Sequence, residues 1–425
     1  MYIIKELKNK INVVMYEMKC SNTFSIGFFI KAGTSYEEKY NNGISHMIEH
    51  MLFKGTKTRT AFDIACIIDN IGGDINAYTS KECTGIYSEV LSKDFETPIE
   101  IISDMLMNPL FDNDAIKKEK SVIKEEIKSY GDSPEDINYD LLSEIMYSGT
   151  NLTQPILGTY NSVKKITQEE IFEYMKEFYT NENIIISVAG NFDQEDVLEK
   201  LDKTIGKYEN HNENDFKIFK PIVNQTGFKF KKKEFEQTHI DLAFWGPDSN
   251  SDLNYAAHVF NNVLAGTMSS RLFQKVREEK GLVYSIYSQI SSYENAGNTT
   301  IGFSLSHKNL FKATEVVIDE LLKIKEKGIT IEEFENSKKH LIGNIVLNTE
   351  TSDAFMSMMA KELLFKRKVK TVEEIIDEII NVSFEDVSQV IELFFVNKKS
   401  VSSVGKIDKA SINRIYNLMI EKLEG

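Results

Sequence analysis

The segment Gly43–Thr56 (GISHMIEHMLFKGT) places two histidines and a glutamate inside an otherwise apolar stretch. Ile44, Met47, Ile48, Met51, Leu52 and Phe53 give it the composition of a helix buried on most of its faces. At roughly 100° per residue, His50 lies about 40° from His46 and Glu49 about 60° to the other side, so all three point into one sector. A carboxylate buried beside two imidazoles is costly unless something compensates it, and a divalent cation does that. The order H-x-x-E-H puts a glutamate next to a two-histidine site just as the reversed H-E-x-x-H does. A catalytic zinc takes three protein ligands and keeps one position open, so a third ligand has to come from elsewhere.

The segment DAIKKEKSVIKEEIKSY, Asp114–Tyr130, offers one. With Glu119 at the zero of a helical wheel, Ile116, Val122, Ile123, Ile127 and Tyr130 fall within about 80° of it. Glu126 lands about 20° away, whereas Glu125 and the lysines at 117, 118, 120, 124 and 128 face outward. Glu126 is the expected third ligand, and Glu119 a supporting carboxylate that orients an imidazole. The alternative is two rim residues on a wide amphipathic helix.

These residues need a scaffold, and the chain supplies it twice. Strand-like runs (Phe24–Ala32, Ile240–Trp245) alternate with helical ones (Asp114–Tyr130, Ala313–Lys325) in both halves. GISHMIEHMLFKGT ends in Gly55-Thr56, and LNYAAHVFNNVLAGT ends in Gly266-Thr267. TPIEIISDML resembles KATEVVIDELL, and FYTNENIIISVAG resembles FFVNKKSVSSVG. The expectation is an α+β protein of two tandem copies, each a mainly antiparallel sheet with helices. The boundaries are a zinc-binding domain over 1–208, a polar linker over 209–227, and a degenerate second domain over 228–425. The second copy serves as an internal control: Ala257, Phe260 and Asn261 fall opposite His46, Glu49 and His50, and Lys338 and Ile345 opposite Glu119 and Glu126. Metal chemistry therefore belongs to one half only.

HMIEH followed by Glu126 in an E-x6-E helix resembles the pitrilysin/insulinase family of inverted-motif zinc peptidases. The resemblance covers essentially the whole chain. IGGDINAYTSKECTGIYSEV matches the family's substrate-aligning strand, with Asn76 and Ala77 at the recognisable positions. YGDSPED, FYTNENIIISVAGNF and SSRLFQKVREEKGLVYSIYS match further on, and the size is similar to that of mitochondrial processing peptidase subunits and their bacterial relatives. One departure is GTNLTQPILGT, where many relatives carry a His-Pro pair. Without the family, Arg277 and Tyr284 read as a surface ion-pair residue and a packing residue. The resemblance implies instead that they bind the substrate carbonyl and the developing oxyanion.

What the resemblance implies as a whole is a zinc endopeptidase with one Zn2+ per chain, held by His46, His50 and Glu126, with Glu49 as general base. Unfolded peptides would lie extended along the Asp74–Val90 segment, adding themselves as a strand. Two such halves make half of a clamshell chamber, so a homodimer is implied, with Arg277 and Tyr284 completing the partner chain's site in trans. The competing class is a non-catalytic structural or partner subunit. A two-His-carboxylate iron site has the right ligand types but poor context.

Composition narrows the partners. The 425 residues carry 50 Lys+Arg against 65 Asp+Glu, a net charge of −15, which disfavours nucleic acid and anionic membrane surfaces. The basic run KFKKK, Lys229–Lys233, is read as a solvated face. Cys20, Cys66 and Cys83 lack C-x-x-C spacing and suit a reducing compartment. The N-terminal stretch reads as a strand pair with no signal-peptide core, and no apolar run is long enough to span a bilayer, so the cytoplasm is the expected location.

Overall fold

A computed structural model of the chain describes residues 2–211, 222 and 224–424. Residues 212–221 and 223 of the expected linker over 209–227 lie outside the described residues. The chain divides into two compact units: residues 1–128, 154–216 and 346–373, and residues 129–153, 217–345 and 374–425.

The first unit is built on a six-stranded sheet: β1 (Tyr2–Glu6), β2 (Asn12–Glu17), β3 (Thr23–Ile30), β4 (Asp74–Thr79), β5 (Thr84–Leu91) and β6 (Ile184–Gly190), in the spatial order β1-β2-β6-β3-β5-β4. β6 (IIISVAG) is buried along its whole length and β3 (TFSIGFFI) along all but its first residue, as befits central strands covered on both faces. β2 runs parallel to β6, and the other pairings are antiparallel. β4 closes the order and, among the described residues, pairs only with β5, which leaves its other edge open.

The second unit carries β7 (Gly227–Lys232), β8 (Thr238–Trp245), β9 (Ser285–Ser292), β10 (Gly297–Leu305) and β11 (Ser400–Gly405), ordered β7-β11-β8-β10-β9. Its one parallel pair is β7 with β11, matching β2 with β6, and the remaining pairs are antiparallel in the same sequence. The duplication seen in the sequence is therefore a duplication of topology. β1 is the addition that distinguishes the first sheet.

The units are not the contiguous halves expected over 1–208 and 228–425. The helix Pro134–Met146, encoded in the first half, lies on β7, β8 and β11 of the second unit. Its counterpart Ser352–Lys366, encoded in the second half, lies on β2, β3 and β6 of the first. Each half thus lends one helix to the other's sheet. Met356, Met359, Ala360, Leu363 and Leu364 bury against Val14, Phe29, Ile185 and Ala189, and each buried Met or Leu side chain contributes about 1.5–3 kcal/mol. The matching face of the second sheet is more polar, with Asp241 and Ser402 opposite one another beneath Pro134–Met146.

Candidate metal centre

The helix Ile44–Leu52 is buried at Ile44, Ser45, His46, Met47, Ile48, Met51 and Leu52. Its start is fixed by backbone chemistry. Gly43 adopts φ 93°, and a Cβ there would meet the Leu157 carbonyl oxygen at 2.9 Å, so glycine is required on two counts. The buried Glu37 carboxylate then accepts from the Gly43 and Ser45 backbone N–H groups at 2.8 and 2.9 Å and from Asn42 Nδ2 at 2.8 Å. An anion at a helix N-terminus meets both free N–H groups and the positive end of the dipole. Burial pushes the Glu37 carboxyl up while those three donors hold it down.

Glu119 and Glu126 come from the helix Asn113–Tyr130, which buries Ile116, Glu119 and Ile123. Glu125 is exposed and sits 3.6 Å from Lys128. Two details depart from the wheel. Val122 is 50% exposed, and Lys120, expected in solvent, is half-buried and donates to the Lys164 and Ile166 carbonyls at the end of a neighbouring helix.

The two helices bring His46, His50 and Glu126 together, with one ligand atom from each lying within 4.8 Å of the others. Glu126 Oε2 stands 3.7 Å from His46 Nε2 and 3.6 Å from His50 Nε2. These gaps are too long for hydrogen bonds. They suit two ligands on one ion, since zinc bonds of 2.0–2.1 Å in a tetrahedron set donors roughly 3.3 Å apart. The donor set is chemically suitable too. His46 is buried, and burial together with the neighbouring His50 ring holds its pKa down to about 3, so the imidazole stays neutral and keeps a lone pair. Its Nδ1 has no hydrogen-bond partner among the described residues.

On the far side of His50, Nδ1 donates to Glu119 Oε2 at 3.1 Å, and the other Glu119 oxygen lies 2.9 Å from Lys54 Nζ. A carboxylate there sets the tautomer and ring plane that turn Nε2 toward Glu126. Glu49 sits beside the cluster with Thr79 Oγ1 donating to its Oε2 at 2.5 Å. Burial raises the Glu49 carboxyl, with the Thr79 bond and His50 opposing and Glu126 adding to the shift.

Asn76 and Ala77 lie on the edge strand β4, next to the Ile44–Leu52 helix; Asn76 is exposed and its Oδ1 accepts from the Ala77 N–H at 2.9 Å. Arg277 and Tyr284 belong to the second unit. Arg277 is exposed, with its guanidinium 4.7 Å from the Phe273 ring, and Tyr284 is 73% exposed with its N–H bonded to the Ser304 carbonyl.

The second unit shows what this frame becomes without the ligands. Ala257 and Phe260 are buried in its core, and Asn261 Nδ2 donates to the Ser288 carbonyl at 3.2 Å. The equivalence of the two glutamates shifts by one residue from the sequence alignment. The helices Asn113–Tyr130 and Ile331–Asn348 both have 18 residues, and Lys338 donates to Ile380 and Val382 just as Lys120 does to Lys164 and Ile166. Ser337 and Asn344 therefore stand opposite Glu119 and Glu126, and the second unit still lacks both carboxylates.

Glu37, Lys54 and Thr79 were not singled out from the sequence. Lys54, one helical turn after His50, could have been found from its spacing. Glu37 and Thr79 reach the site through loop and strand geometry that carries no spacing signal.

Tandem α+β units, one holding an inverted two-histidine and glutamate cluster, describe a metallopeptidase-like architecture, and comparison with known proteins places it further. Residues 13–160 match the model of the insulinase family, peptidase family M16, and residues 165–341 match the peptidase M16 inactive domain. The chain is 38% identical over 397 residues to the uncharacterized zinc protease YmxG of Bacillus subtilis (strain 168), covering 93% of this chain and 96% of the relative. It is 32% identical over 403 residues to an uncharacterized zinc protease of Rickettsia bellii, covering 95% and 97%. Among solved structures, a peptidase M16 inactive domain from Pseudomonas fluorescens superposes with a TM-score of 0.88 at 18% identity, over 96% of this chain and 98% of that one. A protease from Helicobacter pylori gives 0.87 at 19%, over 95% and 99%. The chain belongs to the insulinase (M16) peptidase family.

Proposed function

We propose that the chain is a zinc-dependent endopeptidase that cleaves unfolded peptides held as an extended strand. The convergence of His46, His50 and Glu126, with Glu49 beside them, carries this reading. The relatives' designation as zinc proteases supports the choice of metal. His46, His50 and Glu126 would hold one zinc ion, which when bound supplies Lewis acidity toward water and the scissile carbonyl. Glu119, anchored by Lys54, keeps the His50 ring oriented. Glu49 takes the proton of the attacking water as the C–O bond forms and returns it to the amide nitrogen as the C–N bond breaks. The open edge of β4, with Asn76 and Ala77 on it, offers backbone hydrogen bonds to a peptide adding as a strand, which favours unfolded substrates over folded ones.

In this proposal Arg277 and Tyr284 bind the carbonyl and the oxyanion of substrate held by a second copy of the chain, so the working form is a homodimer. Their exposure leaves both side chains available for that role. No helix among the described residues is long and apolar enough to cross a membrane, and we place the enzyme in the cytoplasm.

The decisive variant is Glu49→Gln. It should keep zinc while peptide hydrolysis falls by about 10²–10⁴-fold, the usual contribution of general acid–base catalysis. Undiminished turnover refutes the role given to Glu49. A wild-type chain that binds zinc yet cuts no member of a random peptide library favours a non-catalytic partner subunit instead.

A further inference from the structure

We propose that Thr79 is a positioning residue for Glu49, so that the strand offered to the substrate also sets the place of the base. The inference rests on the reading of Glu49 as the general base.

A glutamate has three rotatable side-chain bonds, and a base must be held within a fraction of an ångström of its working position. Among the described residues, the one hydrogen bond to the Glu49 carboxylate comes from Thr79 Oγ1, at 2.5 Å to Oε2. Oε1 is thereby left for the proton. Thr79 is itself held firmly. It is the last residue of β4, paired with Thr84 of β5. The turn that follows is tied by Ser80, whose N–H and Oγ both donate to the Cys83 carbonyl at 2.8 and 2.9 Å, while the Cys83 N–H donates to Ser80 Oγ at 3.0 Å. Loop residues brace it from outside, the Ser35 N–H donating to the Lys81 carbonyl at 2.8 Å. A β-branched side chain on so constrained a backbone has a stiff χ1, so the hydroxyl points one way.

β4 is also the open edge of the sheet and lies against the Ile44–Leu52 helix. A peptide aligned along that edge would take its register from the same strand that aims the carboxylate. Scissile bond and base would then move together, which is the condition for a near-attack geometry.

The test compares Thr79→Val, Thr79→Ser and Glu49→Gln in the full-length protein. Zinc content is read by elemental analysis, and kcat and KM with a quenched fluorogenic peptide that the wild type cleaves. Thr79→Val should retain zinc and leave KM within about twofold, while kcat falls about 10- to 100-fold, the size expected for losing one hydrogen bond to a charged group. Thr79→Ser, which restores the hydroxyl, should return most of the rate. Unchanged kcat in Thr79→Val alongside an inactive Glu49→Gln overturns the proposal and leaves the base intact. Loss of zinc from Thr79→Val overturns it in favour of a scaffolding role, and a rise in KM alone in favour of a substrate contact. An active Glu49→Gln removes the reading beneath it and the proposal with it.

Discussion

Replacing Asp241 by asparagine should stabilise the second unit, and increasingly so as the pH rises. Asp241 lies on β8 between Ser402 of β11 and Gly302 of β10, and it is buried. Burial is the main cause that pushes its pKa from 3.8 up to about 7; Glu135 on the overlying Pro134–Met146 helix adds to the shift and the Asn138 amide opposes it. In the unfolded chain this carboxyl ionises near its ordinary value, whereas in the folded one it stays protonated to about pH 7. Between those values the folded state binds more protons, so stability falls as pH rises and levels off above about pH 7. At about 1.36 kcal/mol per pKa unit, the full penalty is roughly 4 kcal/mol, more than half of which accrues between pH 5 and pH 8. Asparagine resembles the neutral acid in size and does not titrate. The protein has a single tryptophan, Trp245, four residues along the same strand, so urea unfolding followed by its fluorescence reports this unit. His239 and Glu135, 3.4 Å apart, remain in both proteins. A stability difference that stays constant from pH 5 to pH 8, or a variant weaker than wild type at pH 8, refutes the reasoning.

The metal centre makes graded predictions. Glu119→Gln should weaken zinc binding about 10–100-fold, as loss of a supporting carboxylate does, and Glu126→Gln should weaken it further. Glu125→Gln, an exposed neighbour, should leave it unchanged; competition against a chromogenic chelator measures all three. Gly43→Ala meets both a left-handed φ and a carbonyl at 2.9 Å, and should destabilise the start of the metal helix by about 1–3 kcal/mol. Faster hydrogen exchange in the amides of Ile44–Leu52 would show it, and protection equal to wild type would count against the glycine requirement.

Local chemistry was legible in the chain because it is written at helical spacing. His46, Glu49 and His50 share a sector by arithmetic alone, and Glu126 was separated from Glu125 by a single step of rotation. The duplication was legible for a similar reason, since two copies of a topology keep their glycines and apolar runs in the same order. The supporting contacts were not. Thr79 lies far from Glu49 in sequence and Glu37 precedes its helix through an irregular loop, so neither has a period to betray it. The one-residue shift that sets Ser337 and Asn344 opposite the glutamates came from matching lysine caps, which motif alignment does not weigh.

What the amino-acid order determined by itself was the inventory of elements, the asymmetry between the two copies and the residues able to hold a metal. Only the tertiary structure decided which sheet each exchanged helix covers. Pro134–Met146 and Ser352–Lys366 each bury apolar side chains, and apolar composition specifies burial without naming its partner. Hydrophobic attraction is non-directional, so the choice between two sheets of the same topology falls to shape and to the few polar groups beneath each helix. Met356 settles among Val14, Phe29 and Ile185, whereas Asn138 settles beside Asp241 and Ser402, and those pairings exist only once the strands have assembled.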